Sequence, residues 1–223
     1  MKIEWGKLLN YPEALQEHQW GSFPSQMLIL ANDIAEYIDC TKFSGTCYMN
    51  IVEHSRSDIV AVCHRDTLGC RIDGIKRNDL KLWKLDIDSF LDRTARSLAA
   101  THQDWFNKNI EKIDVFDNLW RLGQYVAYDK QEYPAFIVLT NDSLELLNIL
   151  RFISITFNKN FLILTPLKAV FNASAEAEIL RFTNIFLALE DIFVENSEYG
   201  LELSGDVQKT IYNWILQFSP WKR

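Results

Sequence analysis

The chain has 223 residues, enough for one large domain or two small ones that each bury a hydrophobic core. Its 48% hydrophobic and 24% charged residues match ordinary globular proteins, which excludes a largely disordered chain. The net charge of −7 disfavours a general nucleic-acid-binding protein, because neutralising phosphates requires a basic face.

The N-terminal part, residues 1–115, is predicted to be α+β. Its first element is a helix over residues 24–39. A β-meander follows, with the strands "CYMNIVEH", "IVAVCHR" and "CRIDGI" separated by polar turns. The strand "LKLWKLD" and a helix over residues 86–102 come next, and Asp86 or Asp88 is placed to cap that helix. Residues 103–118 show no clear period and are predicted to be a junction.

The C-terminal part, residues 116–223, is predicted to be α/β. "LWRLGQYVAY" and "YPAFIVLT" indicate a hairpin, and a helix from about Ser143 to Thr156 separates it from the strand "FLILT". Asp142 and Glu145 fit a capping box at the start of that helix. Two matching apolar runs that flank a capped helix predict a β-α-β unit with parallel strands.

A second α-β repeat is predicted to follow. "SAEAEILRFTN" indicates a helix with Ser174 as its N-cap, and "IFLAL" indicates another buried strand. The alternative is one long helix from Ser174 to Leu189. The chain ends in a predicted amphipathic helix over residues 204–218. The predicted fold class is therefore α/β, with the two parts either independent or packed as one unit.

All four cysteines lie in one stretch that begins at Cys40 and ends at Cys70. Their repeated C-x6-C spacing is wider than the C-x2-C to C-x4-C of a zinc knuckle. A hairpin would place Cys63 opposite Cys70, where cysteine packs as a small apolar residue. The sequence therefore favours structural thiols without metal. The alternatives are a redox pair, or a metal site in which His54 or His64 joins Cys63 and Cys70.

Polar residues follow two of the predicted parallel strands. Thr140, Asn141 and Asp142 follow the first strand, and Thr165 and Lys168 follow the second. In open α/β sheets, ligands bind beyond the carboxyl ends of the strands. These residues and the adjacent helix N-terminus therefore indicate a site for a small polar or anionic ligand. The competing interpretation is that Asn141 and Asp142 cap the helix while Lys168 is solvated.

A second candidate metal site consists of carboxylates. Glu190 and Asp191 follow the predicted third strand, and Asp142 follows a strand of the same sheet, so the three residues could hold Mg²⁺. Solvated or capping carboxylates are the competing interpretation. The sequence contains no phosphate-binding loop, dinucleotide fingerprint, nucleophile elbow or H-E-x-x-H motif.

Missing catalytic motifs and an excess of aromatic residues favour a non-catalytic binding or regulatory protein. Its expected partner is another protein or a small polar ligand, with no nucleic acid, no membrane and no cofactor, and self-association stays open. No run reaches the ~18 apolar residues of a spanning helix, and the start lacks a signal peptide, which predicts a cytoplasmic location. The alternative is a small-molecule or phosphate-ligand enzyme that uses Asp142, Lys168, Glu190 and Asp191.

Overall fold

The structure is a computed structural model, and it describes residues 3–11, 13–40, 48–63, 70–101, 106–126, 132–158, 160–181, 184–196 and 200–203. Helices combine with antiparallel sheets and with a mixed sheet that contains parallel strands, which confirms the α/β fold class. The chain forms two compact units. Unit 1 comprises Met1–Tyr11, Ser22–Met27 and Asp86–Arg223, and unit 2 comprises Pro12–Gly21 and Leu28–Leu85. Residue 115, the predicted boundary, lies inside unit 1.

The strands of unit 2 form two antiparallel sheets. They are β1 (Leu15–Gln16), β2 (Leu28–Ile34), β3 (Tyr37–Asp39), β4 (Tyr48–Ser55), β5 (Asp58–Cys63), β6 (Arg71–Ile72) and β7 (Lys81–Leu85). One sheet has the strand order β1-β7-β2 and the other the order β3-β4-β5-β6. The predicted meander is present as β4, β5 and β6, whereas the predicted turn at 66–69 lies outside the described residues.

The helix predicted over residues 24–39 is wrong. Only Ser25–Met27 is helical, as one 3-10 turn, and β2 and β3 occupy most of the rest. Strand β2 pairs antiparallel with β7, which gives its backbone groups partners in the sheet. Ile29 and Leu30 on β2 are 41% and 48% exposed. Strand pairing at a sheet edge thus outweighs the helical pattern of the local sequence.

Unit 1 contains a mixed sheet and a separate antiparallel pair of strands. The strands are β8 (Phe106–Lys112), β9 (Leu119–Val126), β10 (Glu132–Val138), β11 (Leu162–Thr165), β12 (Ile185–Ala188), β13 (Phe193–Asn196) and β14 (Gly200–Leu203). The helices are α1 (Ile87–Thr101), α2 (Ser143–Phe157), α3 (Ala173–Arg181) and α4 (Leu189–Ile192). The mixed sheet has the strand order β12-β11-β10-β9-β8, and β13 pairs antiparallel with β14. Strands β10, β11 and β12 are parallel, and α2 connects β10 with β11, which confirms the predicted β-α-β unit.

The core of unit 1 is built on β10, which is buried at every residue from 133 to 138. Alternate side chains of a strand face opposite sides, so both faces of the sheet are covered here. Helices α2 and α3 supply Ile149, Leu150 and Ile179 to one cluster with the sheet. The rings of Phe171 and Phe186 stack in the same cluster at 3.9 Å.

Two further predictions in unit 1 need correction. The supposed junction at 103–118 contains β8, an edge strand whose mostly exposed side chains carry no apolar period. Ser174 is not the cap of α3, because the Asn172 side chain accepts hydrogen bonds from the N–H groups of Ser174 and Ala175, both at 3.0 Å. The capping role thus lies two residues earlier.

The long-helix alternative over residues 174–189 is also wrong, because α3 ends at Arg181 and β12 begins at Ile185. The four-residue helix α4 follows β12 directly. The predicted helix at 204–218 lies outside the described residues. Within the part of the chain that the structure describes, no helix is both long and apolar enough to cross a membrane.

Candidate functional site

The predicted ligand residues after β10 bind their own backbone. Thr140 is buried, donates its hydroxyl to the Glu145 carboxylate and accepts the N–H of Asp142 at 3.0 Å. The Asp142 carboxylate accepts the N–H of Leu144 at 2.7 Å, so Asp142 is the N-cap of α2. Only half of the predicted capping box is formed, because Glu145 binds Thr140 instead of the Asp142 amide.

The predicted residues after β11 and β12 also either form hydrogen bonds with nearby protein groups or are exposed to solvent. The buried Thr165 donates its hydroxyl to the carbonyl of Leu167 at 2.9 Å. The N–H of Lys168 donates to the Glu190 carboxylate at 2.6 Å, while the Lys168 residue itself is exposed. Asn141 and Asp191 are exposed as well. Among the described residues, Asp142, Glu190 and Asp191 do not form a cluster of metal ligands.

A groove of about 660 Å³ lies beside the ends of β11 and β12 in unit 1. Glu190 is the one residue of the sequence-predicted set that lines it. Glu4 and Lys7 form an ion pair at 3.8 Å in the same groove. The lining residues are Ile3, Glu4, Trp5, Gly6, Lys7, Leu167 and Glu190.

Three cysteines of unit 2 form a cluster. The sulfur atoms of Cys40, Cys63 and Cys70 all lie within 4.8 Å of one another, and the three residues are buried. Buried Met49 and Ala61 pack with the three cysteines in one hydrophobic core. We call these three residues the cysteine cluster.

The sheet register explains the cluster. Ile38 pairs with Met49, Met49 pairs with Cys63, and the N–H of Cys63 donates to the carbonyl of Cys70 at 2.9 Å. Paired residues lie on one face, so this row crosses all four strands of the β3-β4-β5-β6 sheet. Cys40 follows Ile38 by two residues, which returns it to the same face.

Two residues of the metal alternative that the sequence raised, Cys63 and Cys70, belong to the cysteine cluster. Cys63 and Cys70 face each other as predicted, and sequence reasoning missed Cys40 as their neighbour. His54 is exposed on β4, five residues beyond Met49, and is not in the cluster. His64 lies outside the described residues. Spacing along the chain carries no signal for Cys40, because its position depends on the pairing of β3 with β4 and of β4 with β5.

The opposite face of this sheet carries exposed apolar side chains. Tyr37 pairs with Asn50 and Asn50 pairs with Val62, and Tyr48 and Val52 lie two residues on either side of Asn50. The two tyrosine rings contact each other with centroids 5.6 Å apart. Tyr37 is 62% exposed. We call Tyr37, Tyr48, Val52 and Val62 the tyrosine face.

An acidic groove of about 380 Å³ adjoins this face at Tyr37. Its lining contains four exposed carboxylates and no lysine or arginine. None of the four forms an ion pair with another described residue. The carboxylates belong to Glu13, Asp33, Glu36 and Asp39.

Comparison of the chain with protein-family models, with curated proteins and with solved structures gives no match.

Proposed function

We propose that this chain is a non-catalytic, cytoplasmic binding protein that recognises a lysine- and arginine-rich segment of a partner protein. The segment lies in the acidic groove and continues onto the tyrosine face. The observation that supports this proposal is the set of four carboxylates without a cation in one groove. Tyr37 belongs to both the groove and the face, which makes them one continuous surface.

Electrostatics favours a cationic occupant. The negative potentials of carboxylates that line a concave surface add up and attract positive charge. Each exposed ion pair contributes only about 0.2–1 kcal/mol, so a segment with several positive side chains is needed for useful affinity. The exposed ring of Tyr37 adds a face on which a guanidinium or ammonium group can pack. Tyrosine and valine contacts would then supply apolar area beside the charges.

The hydrogen bonds at the strand ends support a non-catalytic role. Thr140, Asp142 and Thr165 are three of the five polar candidates there, and the side chain of each forms a hydrogen bond within the segment that follows its strand. A catalytic group instead has to reach the substrate in a pocket.

The test measures peptide binding by fluorescence anisotropy. We expect a short labelled peptide rich in lysine and arginine to bind the full chain, and an acidic peptide of equal length not to bind. Affinity should fall as the salt concentration rises, because exposed charges are screened. The double variant Glu36→Gln with Asp39→Asn should weaken binding about tenfold. This expectation corresponds to a loss of roughly 1.4 kcal/mol of binding free energy for the two charges together.

The matched control is Asp58→Asn, which removes an exposed carboxylate of unit 2 outside the groove. It should leave the affinity unchanged. An equal loss per carboxylate in the groove and control variants would show that net charge, rather than the groove, attracts the peptide. Equal binding of the basic and acidic peptides would contradict the proposal outright.

A second candidate is a small-molecule enzyme at the groove of about 660 Å³ beside β11 and β12, which its position at the strand ends favours. Glu190 would then be the acidic group that faces the ligand. A thermal-shift screen with phosphates and nucleotides tests this alternative, because a ligand that binds the folded state raises its stability. A shift that disappears in Glu190→Gln would support it.

A further inference from the structure

We propose that unit 2 binds one zinc ion through the thiolates of Cys40, Cys63 and Cys70. The sequence favoured cysteines that only pack, because their spacing along the chain is too wide for a zinc knuckle. In the folded protein, however, strand pairing brings these distant cysteines close together across the sheet. Cys63 ends β5, Cys40 directly follows β3 and Cys70 directly precedes β6, and these positions bring the three sulfur atoms together on one side of the sheet.

The sulfur separations suit a shared metal. Tetrahedral zinc holds sulfur atoms at about 2.3 Å, which places any two of them about 3.8 Å apart. The observed limit of 4.8 Å for all three pairs exceeds that value by about one ångström, a distance that side-chain rotation can close. A disulfide joins only two sulfur atoms, so it does not explain three that converge.

The environment favours zinc among the metals that bind sulfur. The three cysteines are buried, and the rest of their cluster is apolar, with Met49 and Ala61. Buried thiolates need a positive partner, and Zn²⁺ supplies two charges without redox chemistry. A closed thiolate site without water is the structural class of zinc site. Unit 2 has only about 70 residues, a size at which a metal adds needed stability.

A tetrahedral ion needs a fourth ligand. The fourth cysteine of the chain, Cys47, lies outside the described residues and is not assigned to the site. The structure thus assigns three thiolates, and spectroscopy counts the total.

The first measurement is metal analysis of the full chain, purified without chelator. We expect about one zinc ion per chain, as for a site whose metal binding is coupled to folding. Iron or copper in place of zinc would overturn the assignment of the metal. A metal-free folded protein that also fails to take up added Zn²⁺ would overturn the site itself.

The second measurement counts the thiolates. The chain is refolded with Co²⁺, whose thiolate-to-metal absorption grows with the number of sulfur ligands. We expect an intensity that corresponds to three or four thiolates. An intensity that corresponds to fewer than three would contradict the proposal. This measurement uses the unmodified chain and so does not depend on a variant that folds.

Single variants locate the site. Cys40→Ser, Cys63→Ser and Cys70→Ser should each lower the zinc content or the Co²⁺ band, whereas His54→Ala should leave both unchanged. Zinc retained at full occupancy in all three serine variants would overturn the proposal. If a variant does not fold, the unmodified chain is instead treated with a thiol-specific reagent, and the release of zinc is measured. Release of zinc in step with thiol modification is expected, and zinc that stays bound after complete modification would overturn the proposal.

Discussion

Gly123 lies so close to Asn107 that a β-carbon at residue 123 would be 2.1 Å from the Asn107 carbonyl oxygen. Gly123 has φ +152° and occupies β9, between β8 and β10. The registers of β8 with β9 and of β9 with β10 both shift next to it. The close approach of two backbones and the two irregularities therefore depend on the missing side chain.

We predict that Gly123→Ala lowers the free energy of unfolding by about 3 kcal/mol or more, because the methyl group forces β8 away from β9. Denaturant unfolding followed by circular dichroism measures the change. The matched control is Gly6→Ala, whose added β-carbon meets no atom closer than 3.9 Å. It should stay within about 0.5 kcal/mol of the unmodified chain. Equal stability of the two variants would show that β8 can move away from β9 without a loss of stability.

The parts of the fold that could be predicted are those where local pattern and burial agree. The runs that form β10, β11 and β12 are apolar at consecutive positions, and the parallel sheet buries them on both faces. The edge strands β2 and β8 were missed because pairing with one neighbour, rather than burial, makes them strands. Local sequence carries little information about such pairing.

The cysteine cluster was missed for a related reason. Cys40 meets Cys63 only through the register in which Ile38 pairs with Met49 and Met49 with Cys63. A shift of one residue in either register would turn Cys40 to the opposite face. Spacing along the chain does not encode that register, although the meander itself was predicted.

The cap of α2 gives the second prediction. Asp142→Ala should destabilise the chain by about 1 kcal/mol, because the N–H of Leu144 loses its acceptor at 2.7 Å. Asp142→Ser should retain most of the stability, since serine is also a good N-cap. The control Asp114→Ala removes an exposed carboxylate elsewhere and should be neutral. Thermal or urea unfolding measures all three. A loss with serine as large as that with alanine would show that the capping bond is not the cause.

The tyrosine face gives the third prediction, which depends on the proposed peptide binding. Tyr37→Ser should weaken binding of the basic peptide without lowering the stability, because this side chain is 62% exposed and packs mainly against Tyr48. The control Val115→Ser removes another exposed apolar side chain, 65% exposed, in unit 1 and should not change the affinity. Unchanged affinity in Tyr37→Ser would remove the tyrosine face from the binding surface and leave the acidic groove alone.

The fourth prediction concerns a buried polar contact at the start of the parallel strands. Asn184 is 1% exposed, and its side-chain oxygen accepts the N–H of Phe161 at 2.9 Å. The carbonyl of Phe161 in turn accepts the N–H of Ile185 at 2.8 Å, and the N–H of Asn184 donates to Ile179 at 3.2 Å. Asn184 thus joins the end of α3 to the starts of β11 and β12.

Asn184→Ala should therefore lower the free energy of unfolding by about 1–3 kcal/mol, because it leaves the buried N–H of Phe161 without an acceptor. Amide hydrogen exchange gives a local readout, since the Phe161 amide should lose more protection than amides of β9. The control Asn141→Ala replaces an exposed asparagine and should change neither quantity beyond about 0.5 kcal/mol. If Phe161 keeps its protection in Asn184→Ala, another group or water accepts its hydrogen bond, and the asparagine does not hold β11 beside β12.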